Sequence, residues 1–175
     1  MRYAAFLILT LSLLACQDLK KDGQIKEIEA LEQKLDRIKQ VLEDNRTDSV
    51  TLIIANAALV EDNLRIRAES DTVTREQGEK INEFKKIRQQ LPPVLKIHSE
   101  LQKRIREEEK ALQNLKADID KAAGDKAKYD EYIALERQKT TELGTELENT
   151  LAVRKQCFDS YKRLHKEMEA FSKSL

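Results

Sequence analysis

The chain has 175 residues, with 32 basic and 32 acidic side chains, 5% aromatics, four glycines, two prolines and no tryptophan. So much charge with so few helix breakers describes long, solvated helices and argues against a compact, aromatic-rich globule. The formal net charge of zero removes any general attraction for nucleic acid, and the interleaved signs argue against a disordered acidic or basic tail.

Met1, Arg2 and Tyr3 precede an apolar run over residues 4–15, broken only by Thr10 and Ser12. A short basic start followed by a short apolar stretch is the pattern of an export signal. The run is too short to span a bilayer as a helix, which takes about 20 apolar residues. Residues 17–23 are polar, so the apolar segment ends sharply at a cysteine.

Leu13, Leu14, Ala15 and Cys16 resemble the lipobox of bacterial lipoproteins, with a branched apolar residue three before the cysteine and a small one directly before it. The resemblance covers only about the first sixteen residues. It implies that the Cys16 thiol receives diacylglycerol, that cleavage falls before Cys16, and that the new amine is acylated, with palmitate as a typical chain. One acyl chain holds a protein marginally and two or more hold it stably. The residue after the cysteine is Gln17 and not Asp, which by the same resemblance implies the outer membrane. The expected organisation is a lipoprotein signal peptide over 1–15, a lipidated tether over 16–23 and a helical domain over 24–175.

Three punctuation marks divide the mature chain. Residues 43–49 offer several helix N-cap side chains. Pro92 and Pro93 block helix continuation but suit a first turn. Gly124 and Asp125 read as a stop and a turn. Four helices follow, over 24–44, 49–91, 93–122 and 126–172, and no run shows strand alternation. The expected fold is all-α, built from long amphipathic helices as a coiled-coil or elongated helical bundle. A competing layout reverses the chain at the prolines and gives a shorter bundle, which two adjacent prolines slightly disfavour because they leave few residues for a loop. In the preferred layout the prolines kink the path without reversing it. The first helix folds back along the second, and the fourth returns along the third and the end of the second.

The apolar stripes support this. The first helix carries Ile28, Leu31, Leu35, Ile38 and Leu42 at steps of three and four. The third carries Val94, His98, Leu101, Ile105, Glu108, Leu112, Leu115, Ile119 and Ala122. The fourth runs from Tyr129, Ile133, Leu143, Leu147 and Leu151 to Phe158, Tyr161, Leu164, Met168 and Phe171. A narrow seam suits a coiled coil and a wider one a helix bundle. The second helix is different. Leu52, Leu59, Ile66, Val73 and Ile87 recur at multiples of seven, but Asn56, Asn63, Ser70 and Gln77 fill the alternate seam positions. Either these polar residues set register and partner number at a cost in stability, or the stretch is a weakly packed, exposed helix.

Chemistry-bearing patterns are sparse. Cys16 is assigned to lipid, leaving Cys157 as an odd thiol, which in an oxidising envelope means an intermolecular disulfide, a reactive group or simply a small apolar residue on a helix face. His98 and His165 each lie in the seam of their own helix with no second histidine or cysteine three or four residues away, so neither reads as a metal ligand. Carboxylates such as Glu107, Glu108 and Glu109 read as a solvated face paired with nearby cations. No phosphate loop, nucleophile elbow or nucleotide fingerprint occurs. The basic groups Lys85, Lys86 and Arg88, and Lys103, Arg104 and Arg106, lack the interleaved aromatics of a single-strand binder.

The expectation is therefore no catalytic, metal-binding or cofactor-binding residue, lipidation at Cys16, and a non-enzymatic, lipid-anchored structural or protein-interaction module. Its partners would be the membrane, through the lipid, and another protein or a second copy, through the helices. Two alternatives are a periplasmic assembly factor whose helical arms clasp clients, and a surface-exposed ligand-binding lipoprotein.

Overall fold

The computed structural model describes the backbone of residues 2–68 and 73–174 and the side chains of residues 19–66 and 73–173. Among these the fold is all-α. It comprises α1 (Arg2–Asp44), α2 (Asp48–Ala68), α3 (Arg75–Lys121), a 3-10 turn (Lys126–Lys128) and α4 (Tyr129–Ser174), with no strand. No described helix is long and apolar enough to cross a membrane. The side chains of the lipobox residues, Cys16 included, lie outside those described, as does Ser70 of the second-helix seam.

The chain divides into two compact units, Met1–Gln40 with Lys103–Gly144, and Val41–Gln102 with Thr145–Leu175. The first is a three-helix bundle. Lys116 bridges Glu29 (3.1 Å) and Glu32 (3.2 Å), and Lys39 meets Glu109 at 2.7 Å, so α1 runs antiparallel to α3. Lys20 pairs with Asp130 (2.9 Å), Arg137 with Glu27, and Lys34 donates to Thr141 Oγ1 at 2.9 Å, so α1 runs parallel to α4. Inside lie Ile28, Leu31, Leu35 and Ile38 from α1, Ile105, Leu112, Leu115 and Ile119 from α3, and Tyr129, Ile133 and Leu143 from α4. Each such aliphatic side chain contributes about 1.5–3 kcal/mol relative to exposure. Gly144 faces α1, where a Cβ would meet Ile38 Cδ1 at 3.4 Å, an ordinary contact.

In the second unit α2, α3 and α4 enclose Val50, Ala57, Val60, Leu64, Phe84, Ile87, Leu91, Cys157, Leu164 and Met168. Arg88 reaches Glu61 (3.2 Å), Lys80 reaches Glu167 (2.6 Å), and Arg163 reaches Glu83. The α1–α2 junction is held from α4: Arg154 donates to Asn45 Oδ1 and to the Arg46 carbonyl.

The expected stripes of the first, third and fourth helices largely face the cores. The break expected near residues 43–49 occurs, between Asp44 and Asp48. The turn at Gly124 and Asp125 also occurs. Ala123 N–H donates to the Asp118 carbonyl (2.8 Å) and Ala122 N–H to that of Ile119 (3.1 Å), closing a Schellman motif with Ala122 at φ 53°. Gly124 sits at φ 77°, and the Asp125 carboxylate accepts from Ala127 N–H at 3.1 Å. The Tyr129 hydroxyl lies beneath this turn, within hydrogen-bonding reach of the Asp118 and Ala123 carbonyls.

Four expectations about helices need correction. The first helix does not begin at residue 24: α1 already includes residues 19–23, because Lys20 and Lys21 dock on Asp130 and Asp120 and the glycine at 23 costs only about 1 kcal/mol. The second helix does not run from 49 to 91. α2 ends at Ala68 and α3 begins at Arg75, where Thr74 and Gln77 form a capping box. Pro92 and Pro93 do not end a helix but lie inside α3. Both prolines, and the residues 88–90 whose turn loses hydrogen-bond donors, are exposed, so the freed carbonyls of Arg88 and Gln89 meet water. Leu91 and Val94, on the opposite side, are buried and keep the helix seated. Finally, the stripe of α1 over residues 28–38, expected to lie against the second helix, serves the core shared with α3 and α4 in the first unit.

Candidate functional site

Two features depart from the ordinary pattern of apolar inside and polar outside. The first is a polar layer within the first unit. The apolar stripe of α4 lapses between Ile133 and Leu143, and the buried positions there are Glu136 and Thr140. Opposite, Glu108 of α3 occupies a stripe position and is only 5% exposed. Glu136 accepts from Lys139 Nζ at 2.7 Å. Glu108 Oε1 and Thr140 Oγ1 are buried without a partner in full hydrogen-bonding geometry. Burial, then the hydrogen bond to Glu136 and the charge of that group, push the Glu108 carboxyl up to about 7; Lys139 and the nearby Thr140 hydroxyl work weakly the other way. Glu108 is therefore not part of a solvated face, as the run of three glutamates suggests. Glu107 is, paired with Lys103, while Glu109 is half-buried and paired with Lys39. The signal was present in the sequence, because Glu108 falls in the seam between Ile105 and Leu112.

The second feature is the outward face of α2. Its inward face carries Val50, Ala57, Val60 and Leu64. Leu52, Leu59 and Ile66, the heptad series of the sequence, are 61%, 67% and 65% exposed. Asn63 is exposed with them and Asn56 half-buried. The α2 part of the seam read from the sequence is thus not a core face, while Ile87, its last member, lies in α3 and is buried in the second core. Three large apolar side chains therefore stand exposed at seven-residue intervals along one side of α2.

The histidines and the thiol are structural within the second unit. His98 Nε2 donates to the Leu42 carbonyl at 3.2 Å, near the end of α1. His165 stacks on Tyr161 (centroids 4.5 Å apart, planes at 22°) and lies 6.3 Å from Phe84. Its Nε2 is 3.8 Å from Glu169, while Nδ1 is buried without a partner. Cys157 is buried, its thiol donates to Gln90 Oε1 at 3.4 Å, and burial raises its pKa, which disfavours the reactive thiolate. Among the described residues no group of three or more His, Cys, Asp or Glu converges as metal ligands would. A hollow of about 380 Å³ at the turn end of the first unit is lined by Lys20, Lys21, Gln24, Lys126 and Tyr129; two of those lysines are already paired with Asp130 and Asp120.

No protein-family model, curated protein or solved structure matches the chain.

Proposed function

We propose that the chain is a lipid-anchored lipoprotein of the bacterial cell envelope, held in the outer membrane through Cys16, and that it acts as a non-catalytic structural or protein-interaction module. The lipobox-like residues 13–16 support the anchor, and the outward stripe Leu52, Leu59 and Ile66 of α2 is the observation that carries the interaction role. The stripe lies on a helix whose opposite face is already committed to the core, so a partner docks without the unit having to open. Burying those three side chains against a partner protein or a second copy would draw on the same apolar transfer energy that holds the core, about 25 cal/mol per Å².

Two variants test the two halves separately. Cys16→Ala should leave the protein unprocessed or release it from membranes; cleavage and membrane fractionation like the parent would overturn the anchor. The triple variant Leu52→Ser, Leu59→Ser, Ile66→Ser should keep its helical circular dichroism yet lose higher-order species in sedimentation across a concentration series and lose cross-links in cells. Unchanged sedimentation and cross-linking would overturn the interaction surface and leave the anchor standing.

A further inference from the structure

We propose that Glu108 and Glu136 form a proton-linked clasp in the core of the first unit, in which a proton carried by Glu108 joins α3 to α4 and its loss loosens that level of the bundle. The inference does not depend on the membrane reading.

The geometry carries it. Glu108 of α3 and Glu136 of α4 are buried in the same core, 5% and 9% exposed, and Glu136 is near enough to act on the Glu108 carboxyl. A lone buried carboxylate pair repels itself, and two like charges in contact cannot both remain ionised at low cost. With the proton in place, Glu108 is a donor and the Glu136 carboxylate an acceptor, so the contact is attractive. With the proton gone, two anions face the Lys139 ammonium, which Glu136 already occupies at 2.7 Å. Glu108 Oε1 has no partner to fall back on.

The surrounding charges do not remove the conflict. From α4 the facing groups are Glu136, Lys139 and the Thr140 hydroxyl. From α1 the charged residues at this level are Glu32, Lys34, Asp36, Arg37 and Lys39; Glu32, Lys34 and Lys39 engage Lys116, Thr141 and Glu109, while Asp36 and Arg37 are exposed, with Arg37 donating to the Gln33 carbonyl. On α3 itself Glu107 pairs with Lys103 and Glu109 with Lys39. Arg104, one turn earlier, is half-buried and engaged in an interaction of its own. Leu35, Ile105, Leu112 and Leu143 supply the low-dielectric wall.

The sign follows from linkage. The folded state holds its proton on Glu108 to a higher pH than the unfolded chain does, since the folded pKa of about 7 exceeds the ordinary value of 4.5. The contribution of the clasp is therefore complete below the unfolded value. It declines as pH rises from about 4.5 through 7, and it levels off above that.

The test is thermal unfolding of the full-length chain by circular dichroism between pH 5 and 8. The wild-type midpoint should fall by about 5–10 °C across that range. Glu108→Gln, which keeps a donor and cannot ionise, should remove most of the slope and exceed the wild-type midpoint at pH 8. Glu136→Gln, should Glu108→Gln fail to fold, should also flatten the slope, because it removes the opposing charge. Glu32→Gln, which alters another ion pair of the same unit, should retain the wild-type slope and so separates the clasp from the loss of a carboxylate elsewhere. A wild-type midpoint that is level or rises towards pH 8, or a full slope retained in Glu108→Gln or Glu136→Gln, would overturn the proposal.

Discussion

Thr74 and Gln77 hold each other at the start of α3: the Thr74 amide donates to Gln77 Oε1 at 2.9 Å, and the Gln77 amide donates to Thr74 Oγ1 at 3.3 Å. This reciprocal pair satisfies two backbone donors that the first turn leaves without helical partners. Thr74→Ala should lower stability by about 1 kcal/mol, while Thr74→Ser should retain most of it. Scanning calorimetry of both variants checks this; equal midpoints for the two would show that the cap contributes nothing.

Ala122 occupies the left-handed position that glycine usually fills at a helix end, at φ 53° and exposed. Ala122→Gly should raise stability by about 1 kcal/mol, since the Cβ strain is relieved and no packing is lost. Gly124→Ala should lower it by a similar amount, about 1 kcal/mol: at φ 77° a Cβ meets no atom within 4 Å, so only the backbone objects. Denaturant melts of the pair should therefore move in opposite directions.

Pro92 and Pro93 each leave one carbonyl of the preceding turn without its amide donor. Replacing both with alanine should stabilise α3 by roughly 1–3 kcal/mol, the lost rigidity of the unfolded chain offsetting part of the restored hydrogen bonds. Hydrogen exchange should then find slowly exchanging amides at positions 92 and 93. A destabilised double variant would mean that the backbone fixed by the prolines is required for seating Leu91 and Val94.

Cys157 should react slowly with a thiol reagent in the folded protein and rapidly in urea, because it is buried and its pKa is raised by burial. Cys157→Ala should cost about 1 kcal/mol through lost packing against the α3 residues around it. Fast labelling of the native chain would indicate that α4 opens readily at that level.

The missed boundary between α2 and α3 was legible in principle, because Thr74, Arg75, Glu76 and Gln77 spell the capping box in order. The heptad series from Leu52 through Val73 to Ile87 concealed it, since a repeat of seven continues in register across a break that keeps the spacing.

What the sequence by itself determined is local. Steps of three and four along residues 28–42 and 94–119 require helices with one buried side, and the Gly124 turn and the caps near residue 48 require ends, because these depend only on neighbours within a turn or two. What the tertiary structure decided is non-local. α2 carries two apolar series, Val50 to Leu64 and Leu52 to Ile66, and only the helices packed against it select the first for the core and leave the second outside. The prolines are tolerated because packing at Leu91 and Val94 turns them towards water, a choice made by the partner helices. Glu108 meets Glu136 across an antiparallel pair of helices. No spacing along either helix could announce that contact, since desolvation and charge repulsion arise only once the two are enclosed together.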